Sequence, residues 1–392
     1  MVASVVVEQP LRSRYTVKYK HIVVVKRGPP ENLRIEECDL RESVASEVRI
    51  KVLACNVCQP DVQNRYGLSP FAPKVPYEPG CAMVGVVDEV GPGVQHAAPG
   101  ARVAAYPAFG GYAEYVYLPE SRLVPVPSSL DPVEAAPVVL NYLTAYQSLH
   151  RLAKVKAGDK VLIIGASGGC GTALLDLGRL AGLKMYGVAS GSKSSILTQF
   201  GAVPIDYRKE DFVEVMRRAE PHGLDFIFDG MGGDHIRRAF PLLRRGGVLV
   251  EYANPLSLRA TLRLLVRTLV LNLLPNGKKL KVYGAGFVLL YRKPFLEDWA
   301  ILFRLLAEGK IRPVISSRFP LLEAAQANAL LEGGQVVGNL VLLAPDLLGE
   351  CIIAKSLNGD PISTETSACD RQPHIDVSRA TVRCGPPMIA RR

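Results

Sequence analysis

Four glycines, Gly165, Gly168, Gly169 and Gly171, fall within VLIIGASGGCG, between an apolar run and the helical stretch TALLDLGRLAG. Residues without a Cβ at this spacing let a strand turn sharply into a helix. They also let backbone N–H groups approach a phosphate, whose charge the helix N-terminus favours. With Ser167 and Cys170 in the same turn, the segment predicts a dinucleotide pyrophosphate site, because it sits between a strand and a helix in an alternating region. An acidic residue to hold a ribose 2′-hydroxyl would be expected after the next strand, yet none occurs between Asp176 and Asp206. VASGSKSS stands there instead, and Ser190, Ser192 and Lys193 offer donors and positive charge suited to a 2′-phosphate. The pattern selects NADPH over NADH.

The elements that must position this turn are legible from periodicity. Between Lys160 and Tyr283 the runs KVLII, KMYGV, VPID, DFIFD, GVLVEY and KVYGA alternate with five helical segments, which predicts an open, doubly wound parallel sheet. From about Lys18 to Pro127 short β-branched runs broken by Gly and Pro predict a mostly antiparallel β domain. After the alternating region, Leu296–Gly309 reads as an amphipathic helix and Val336–Leu343 as a strand. The polar stretch 345–392 reads as a poorly ordered extension.

A chain of 392 residues favours two domains, and 48% hydrophobic against 21% charged residues is ordinary globular usage. Lys+Arg 47 against Asp+Glu 37 gives a net charge of +10, which composition alone does not assign to a partner. Basic patches with interleaved aromatics are not evident, so nucleic acid is not expected. The eight cysteines are dilute and irregularly spaced and no secretory apolar stretch opens the chain, so a cytoplasmic setting is expected. Leu256–Leu274 is apolar but interrupted by Arg259, Arg263 and Arg267, so no transmembrane helix is expected.

The stretches ACNVCQPDV, GLSPFAPKVPYEPG, VGVVDEVGPGV, GGYAEYVYLP, VVLNYLTAYQSL, GASGGCG, IDYRKEDF, FDGMGG and AEGKIRPVI together resemble the medium-chain dehydrogenase/reductase superfamily. The likeness is to its zinc-independent, quinone oxidoreductase-like branch of zeta-crystallin-type quinone reductases and enoyl reductases, and it spans about Lys18 to Leu343. The resemblance implies a central Rossmann sheet and a β-rich, GroES-like catalytic domain formed from both chain ends. Residues 1–140 and 287–344 would build the catalytic domain and 141–286 the Rossmann unit. It further implies NADPH in the cleft and a homodimer. By the same resemblance Tyr207 packs beside the 2′-phosphate, Asn141 and Thr144 approach the nicotinamide and its ribose, Gly230 turns over the cofactor's bridging region, and Asn254 faces the nicotinamide. Asn339 stands where the family often has lysine.

The chain departs from zinc-dependent relatives. Cys58 keeps their first ligand position, but Gly80-Cys81-Ala82 replaces the Gly-His-Glu motif and the third ligand would fall near Leu140, so no metal is expected. Cys55 and Cys58 also form a C-x-x-C, read as strand packing rather than a redox pair. Without a Lewis acid, the natural hydride acceptors are quinones or α,β-unsaturated carbonyls, small electrophiles whose developing charge is delocalised. Cys58 and Ser69 stand where zinc-free relatives carry asparagine and tyrosine, leaving Tyr66, Cys58 and Ser69 as the catalytic candidates. Two alternatives stay open: an enoyl reductase serving a carrier-bound or pathway-specific intermediate, and a non-catalytic NADPH-binding or membrane-associated protein. The segment with Arg259, Arg263 and Arg267 on one helical face admits three readings: a lid, a surface for an anionic carrier or membrane, or a helix buried in a dimer.

Overall fold

The computed structural model of the protein describes residues 17–286 and 292–347. The extension read over 345–392 lies outside those residues from 348 onward.

The described residues open with a hairpin, β1 (Lys18–Val24) and β2 (Leu33–Asp39), and continue through β3 (Glu47–Val57), α1 (Gln59–Tyr66), β4 (Ala82–Val90), β5 (Arg102–Ala105), β6 (Tyr115–Pro119) and β7 (Val124–Pro125). In β3 the side chains of Val48, Ile50, Val52 and Ala54 are buried on alternate positions, the period of a half-buried strand. A helical run then crosses to the second sheet through α2 (Pro132–Pro137) and α3 (Leu143–Tyr146), with wider π-type turns at Val138–Tyr142 and Gln147–Ala153. Asp131 caps the start of α2 by accepting from Val133 N at 2.8 Å.

The alternating region forms β8 (Lys160–Ile164), α4 (Gly169–Leu180), β9 (Lys184–Ala189), α5 (Ser194–Gln199), β10 (Val203–Asp206), α6 (Phe212–Ala219), β11 (Leu224–Asp229), α7 (His235–Ala239), β12 (Leu243–Glu251), α8 (Leu258–Leu273) and β13 (Lys279–Val282). All five strand pairings are parallel, in the order β10-β9-β8-β11-β12-β13. The strand order reverses between β8 and β11, which opens a crevice at the carboxyl ends of the strands. The near-continuous burial of Val161, Leu162, Ile163 and Ile164 reflects helices on both faces.

The chain returns through α9 (Arg292–Ala307), β14 (Ile315–Pro320), α10 (Ala324–Glu332) and β15 (Asn339–Leu343). Trp299 of α9 is buried and donates from Nε1 to Val139 O at 3.0 Å, fastening the return helix to the crossover. β15 pairs antiparallel with β3, with Leu340 opposite Val57, and completes a seven-stranded sheet of order β14-β15-β3-β4-β5-β7, β6 pairing with β3. Both chain ends therefore build one sheet. β15 starts at Asn339, three residues later than the expected Val336. Gly338 lies at φ +76°, and Val336 O accepts a bond from across the cleft, so neither can enter the ladder.

Candidate functional site

The glycine turn forms as the sequence requires. Gly165 leaves β8 at φ +83°, and Gly168 precedes α4 as its N-cap. At Gly171 a Cβ would lie 2.3 Å from Gly165 O and 2.6 Å from Ala166 O, so the first turn of α4 can close on the strand end only without a side chain. Thr172 N bonds Gly168 O at 2.8 Å. The N–H groups of Gly169, Cys170 and Gly171 lie in the helix's first turn, where intrahelical acceptors are lacking.

Three polar side chains from three segments meet on this turn. Asn141 Nδ2 donates to Asn339 Oδ1 at 2.6 Å, Asn339 Nδ2 donates to Val314 O at 3.0 Å, and the Cys170 thiol donates to Asn141 Oδ1 at 3.3 Å. A Cβ on Gly169 would meet Asn141 Nδ2 at 2.3 Å. The two domains thus touch at the nucleotide turn, where Gly338 N also bonds Ser167 O at 2.9 Å. By area Cys170 is half-buried, but its sulfur faces inward toward Asn141, and burial pushes the thiol up to about 12. Thr144 is buried beside Cys170 and Tyr283, and the Tyr283 hydroxyl lacks a well-formed hydrogen bond.

At the far end of the turn, Ser190 is buried with its Oγ 3.2 Å from Ser192 Oγ. Lys193 reaches across the cleft and donates to Gly334 O at 2.7 Å and Val336 O at 2.8 Å, an engagement the sequence did not signal. Burial, with the neighbouring Arg208 guanidinium, lowers its pKa. Tyr207 is half exposed, and Arg208 sits 5.9 Å from its ring centroid. Arg208 is therefore a further cation at this end. Asp206 also comes close: a Cβ on Gly191 would lie 2.4 Å from Asp206 Oδ2.

Beneath the DGMGG turn lies a carboxyl pair that sequence reading missed. Asp229 ends β11 and Glu251 ends β12, and the parallel register sets them side by side. Asp229 Oδ1 accepts from Met231 N at 2.9 Å and Gly232 N at 3.1 Å, shaping the turn that carries Gly230. Asp229 Oδ2 and Glu251 Oε2 are buried without a conventional donor, which a proton shared between the two carboxyls would supply. Burial, then the neighbouring Asp229, push Glu251 up to about 10 from its ordinary 4.5. The proton-bearing form belongs to the fold, so its stabilisation is full below pH 4.5 and is lost as pH rises through 10. Glu251→Gln, neutral at every pH, is expected to raise the unfolding free energy by about 3 kcal/mol at pH 7, with the gain growing toward alkaline pH. Urea denaturation of both proteins between pH 6 and 9 checks this; a variant no more stable than wild type anywhere in that range would exclude the shared proton.

The remaining candidates, Asn254 apart, lie on the catalytic side of the cleft. Cys58 is the N-cap of α1, and Asp61, three residues on, closes back by accepting from Cys58 N at 3.1 Å. Asp61 also accepts from Gly80 N and the Tyr112 hydroxyl, both at 3.2 Å, and from the Cys81 thiol at 3.7 Å. Potential ligand atoms of Cys58, Asp61 and Cys81 all lie within 4.8 Å of one another. Asp61 was not among the sequence candidates, although the C-x-x-D spacing carried the capping signal. Tyr66 donates its hydroxyl to Glu332 Oε2 at 2.8 Å, with the Arg65 guanidinium 4.9 Å from its ring. Ser69 Oγ accepts from Phe71 N at 3.2 Å, and Asn254 is exposed with its Nδ2 3.3 Å from Gln63 Oε1.

Known proteins share this architecture. The alcohol dehydrogenase GroES-like domain family matches residues 44–128, and the zinc-binding dehydrogenase family matches residues 200–342. The chain is similar to the synaptic vesicle membrane protein VAT-1 homolog of Rattus norvegicus, with 31% identity over 309 residues, 76% of each chain. It is also similar to the 2-haloacrylate reductase of a Burkholderia species, 30% identical over 339 residues, covering 82% of this chain and 98% of that protein. The Escherichia coli quinone oxidoreductase complexed with NADPH superposes with a TM-score of 0.75 at 26% identity, covering 83% of this chain and 99% of the other.

Proposed function

We propose, from the premise that this chain belongs to the quinone oxidoreductase-like branch of the medium-chain dehydrogenase/reductase superfamily, a family of oxidoreductases, that it reduces small electrophiles with NADPH. The acceptor would be a quinone or an α,β-unsaturated carbonyl. The observation that supports this reading is the end of the crevice after β9, where Ser190 and Ser192 lie together and Lys193 has Arg208 beside it, two cations against the one Asp206 carboxylate near Gly191, which suits a 2′-phosphate.

When bound, NADPH would supply the hydride. The chain's own contribution is orientation: the N–H groups of the first turn of α4 would receive the pyrophosphate, and Asn141 and Asn339 lock the turn against the catalytic domain. Thr144 and Tyr283 set two buried hydroxyls side by side, and the Tyr283 hydroxyl, without a well-formed partner, is the donor a substrate oxygen entering there would meet. Burial keeps the Tyr283 phenol above its ordinary range, hence protonated and able to donate.

A zinc ion fits this site poorly. Both Asp61 oxygens already accept protein hydrogen bonds, and the hydrogen bond that the Cys81 thiol gives to Cys58, together with burial, holds that thiol well above its ordinary value. Leu140 adds no ligand and no imidazole is present, whereas a catalytic zinc requires three deprotonated or neutral-nitrogen ligands in open geometry. The reaction is accordingly one in which charge is delocalised over an enolate or hydroquinone.

Steady-state oxidation of NADPH and NADH with a panel of enals, enones and quinones tests the reading. Lys193→Ala is expected to raise KM for NADPH by about 10- to 100-fold, the loss of a charged hydrogen bond, and to leave KM for NADH nearly unchanged. Saturation by NADH but not by NADPH in the wild-type protein would overturn the cofactor assignment.

A further inference from the structure

Helix α8 is the one long helix, among the described residues, with no buried residue. Ser257 caps it by accepting from Ala260 N at 3.1 Å, and Leu264 and Leu271 rest on the Rossmann core. The other large apolar side chains point away. Seven of them between Leu258 and Leu273 are between 52% and 74% exposed, a concentration found nowhere else among the described residues. At about 100° per residue, Leu258, Leu262, Leu265, Leu269 and Leu273 fall within an arc of roughly 80° on a helix about 24 Å long.

The stripe has a basic flank. Arg259 and Arg263 follow it on one side, both exposed and neither in an ion pair among the described residues. Arg267 turns inward instead and donates to Gly233 O at 2.9 Å. From Tyr252 to Leu296 the sequence contains no Asp or Glu but eight Lys or Arg. Lys278 and Lys279 bond to backbone carbonyls of Pro241 and Asn272, which fixes two more positive charges near the end of the helix, whereas Lys281 bonds Leu152 O on the other face of the sheet.

We propose that α8 lies flat on an anionic phospholipid surface, with its leucines at the headgroup–acyl boundary and Arg259 and Arg263 at the phosphates. A lipid surface asks for what this face offers: a continuous apolar stripe on a helix, a basic flank, and no Asp or Glu within Leu258–Leu273. The same helix of a second copy would present no acidic group to the arginines. No helix among the described residues is long and apolar enough to cross a membrane, so the contact is peripheral. The proposal is independent of turnover.

Sedimentation of the full chain with phosphatidylcholine vesicles, with and without about 30 mol% phosphatidylserine, tests it. Binding is expected to the anionic vesicles alone and to weaken as salt shortens the screening length. Leu262→Gln/Leu269→Gln and Arg259→Gln/Arg263→Gln are each expected to lower the partition coefficient by about tenfold. Circular dichroism and NADPH binding report whether these surface variants remain folded. Lack of binding to anionic vesicles, or binding that both folded variants retain in full, would overturn the proposal. So would a wild-type dimer that the leucine variant converts to monomer, because a second copy would then cover the face.

Discussion

Gly171→Val is expected to lower affinity for NADPH by about 100- to 1,000-fold while the chain stays folded. Valine has no room: its Cβ would begin 2.3 Å from Gly165 O and 2.6 Å from Ala166 C, and both obstacles are backbone. Relief requires α4 to withdraw from the end of β8, which carries the N–H groups of Gly169 and Cys170 away from the phosphates. Overpacking costs about 1–3 kcal/mol of stability, and a charge-assisted hydrogen bond lost costs about 1.5–3 kcal/mol, so two bonds lost at about 1.5–2 kcal/mol each give the stated range. The catalytic sheet meets the turn at Gly338 and Asn339, at the start of β15, and its remaining strands and core should keep their native far-UV signature. Fluorescence titration with NADPH, alongside circular dichroism, measures both; an affinity within a few-fold of wild type would show that the turn does not hold the nucleotide.

Asp61→Ala is the second large effect, and it falls on stability. The carboxylate is buried and receives the N–H of Cys58, the N–H of Gly80 and the hydroxyl of Tyr112. Alanine leaves three buried donors unpaired, at about 1–3 kcal/mol each before relaxation, so a loss of about 4 kcal/mol is expected. Asp61→Asn keeps an acceptor and separates charge from shape. Burial lifts Asp61 to about 6 from its ordinary 3.8, against the pull of those donors. The stabilisation associated with the bound proton is full below pH 3.8 and lost as pH rises through 6. Wild type should therefore lose about 2 kcal/mol relative to Asp61→Asn between pH 4.5 and 7.5. Denaturant melts of the three proteins at pH 4.5 and 7.5 decide the matter, and a constant difference between wild type and Asp61→Asn would refute the shift.

The parallel sheet was legible because its signal is local. Apolar runs such as KVLII and DFIFD alternate with helical stretches, and each strand is short enough to be read in one window. The glycine turn was legible for the same reason, since its chemistry is written in seven consecutive residues. Partnerships made by the fold were not legible. Asp229 and Glu251 become neighbours only through the register of β11 on β12. Lys193 was read as a phosphate ligand, but nothing near it in sequence announces the carbonyls of Gly334 and Val336 that it also reaches. Asn339 carried no clear role until the return strand set it against Asn141. At α8 the periodicity placed three arginines on one face, but which face meets the core depends on tertiary packing, and that turned Arg267 inward and the leucines outward.

The closure of the first sheet by β15 sets an order of events during synthesis. β3 lies beside β4, β6 and β15, and the last of these strands leaves the ribosome about 290 residues after β3 begins. The Rossmann strands, all contained in 160–282, can pair while the N-terminal sheet still has an open edge. The nucleotide turn would then be formed before the surface that presses on it through Asn339 and Gly338. A nascent chain arrested after residue 300 should accordingly show a protease-resistant Rossmann unit and a cleavable N-terminal segment, whereas equal protection of both would mean that the first sheet folds without its final strand.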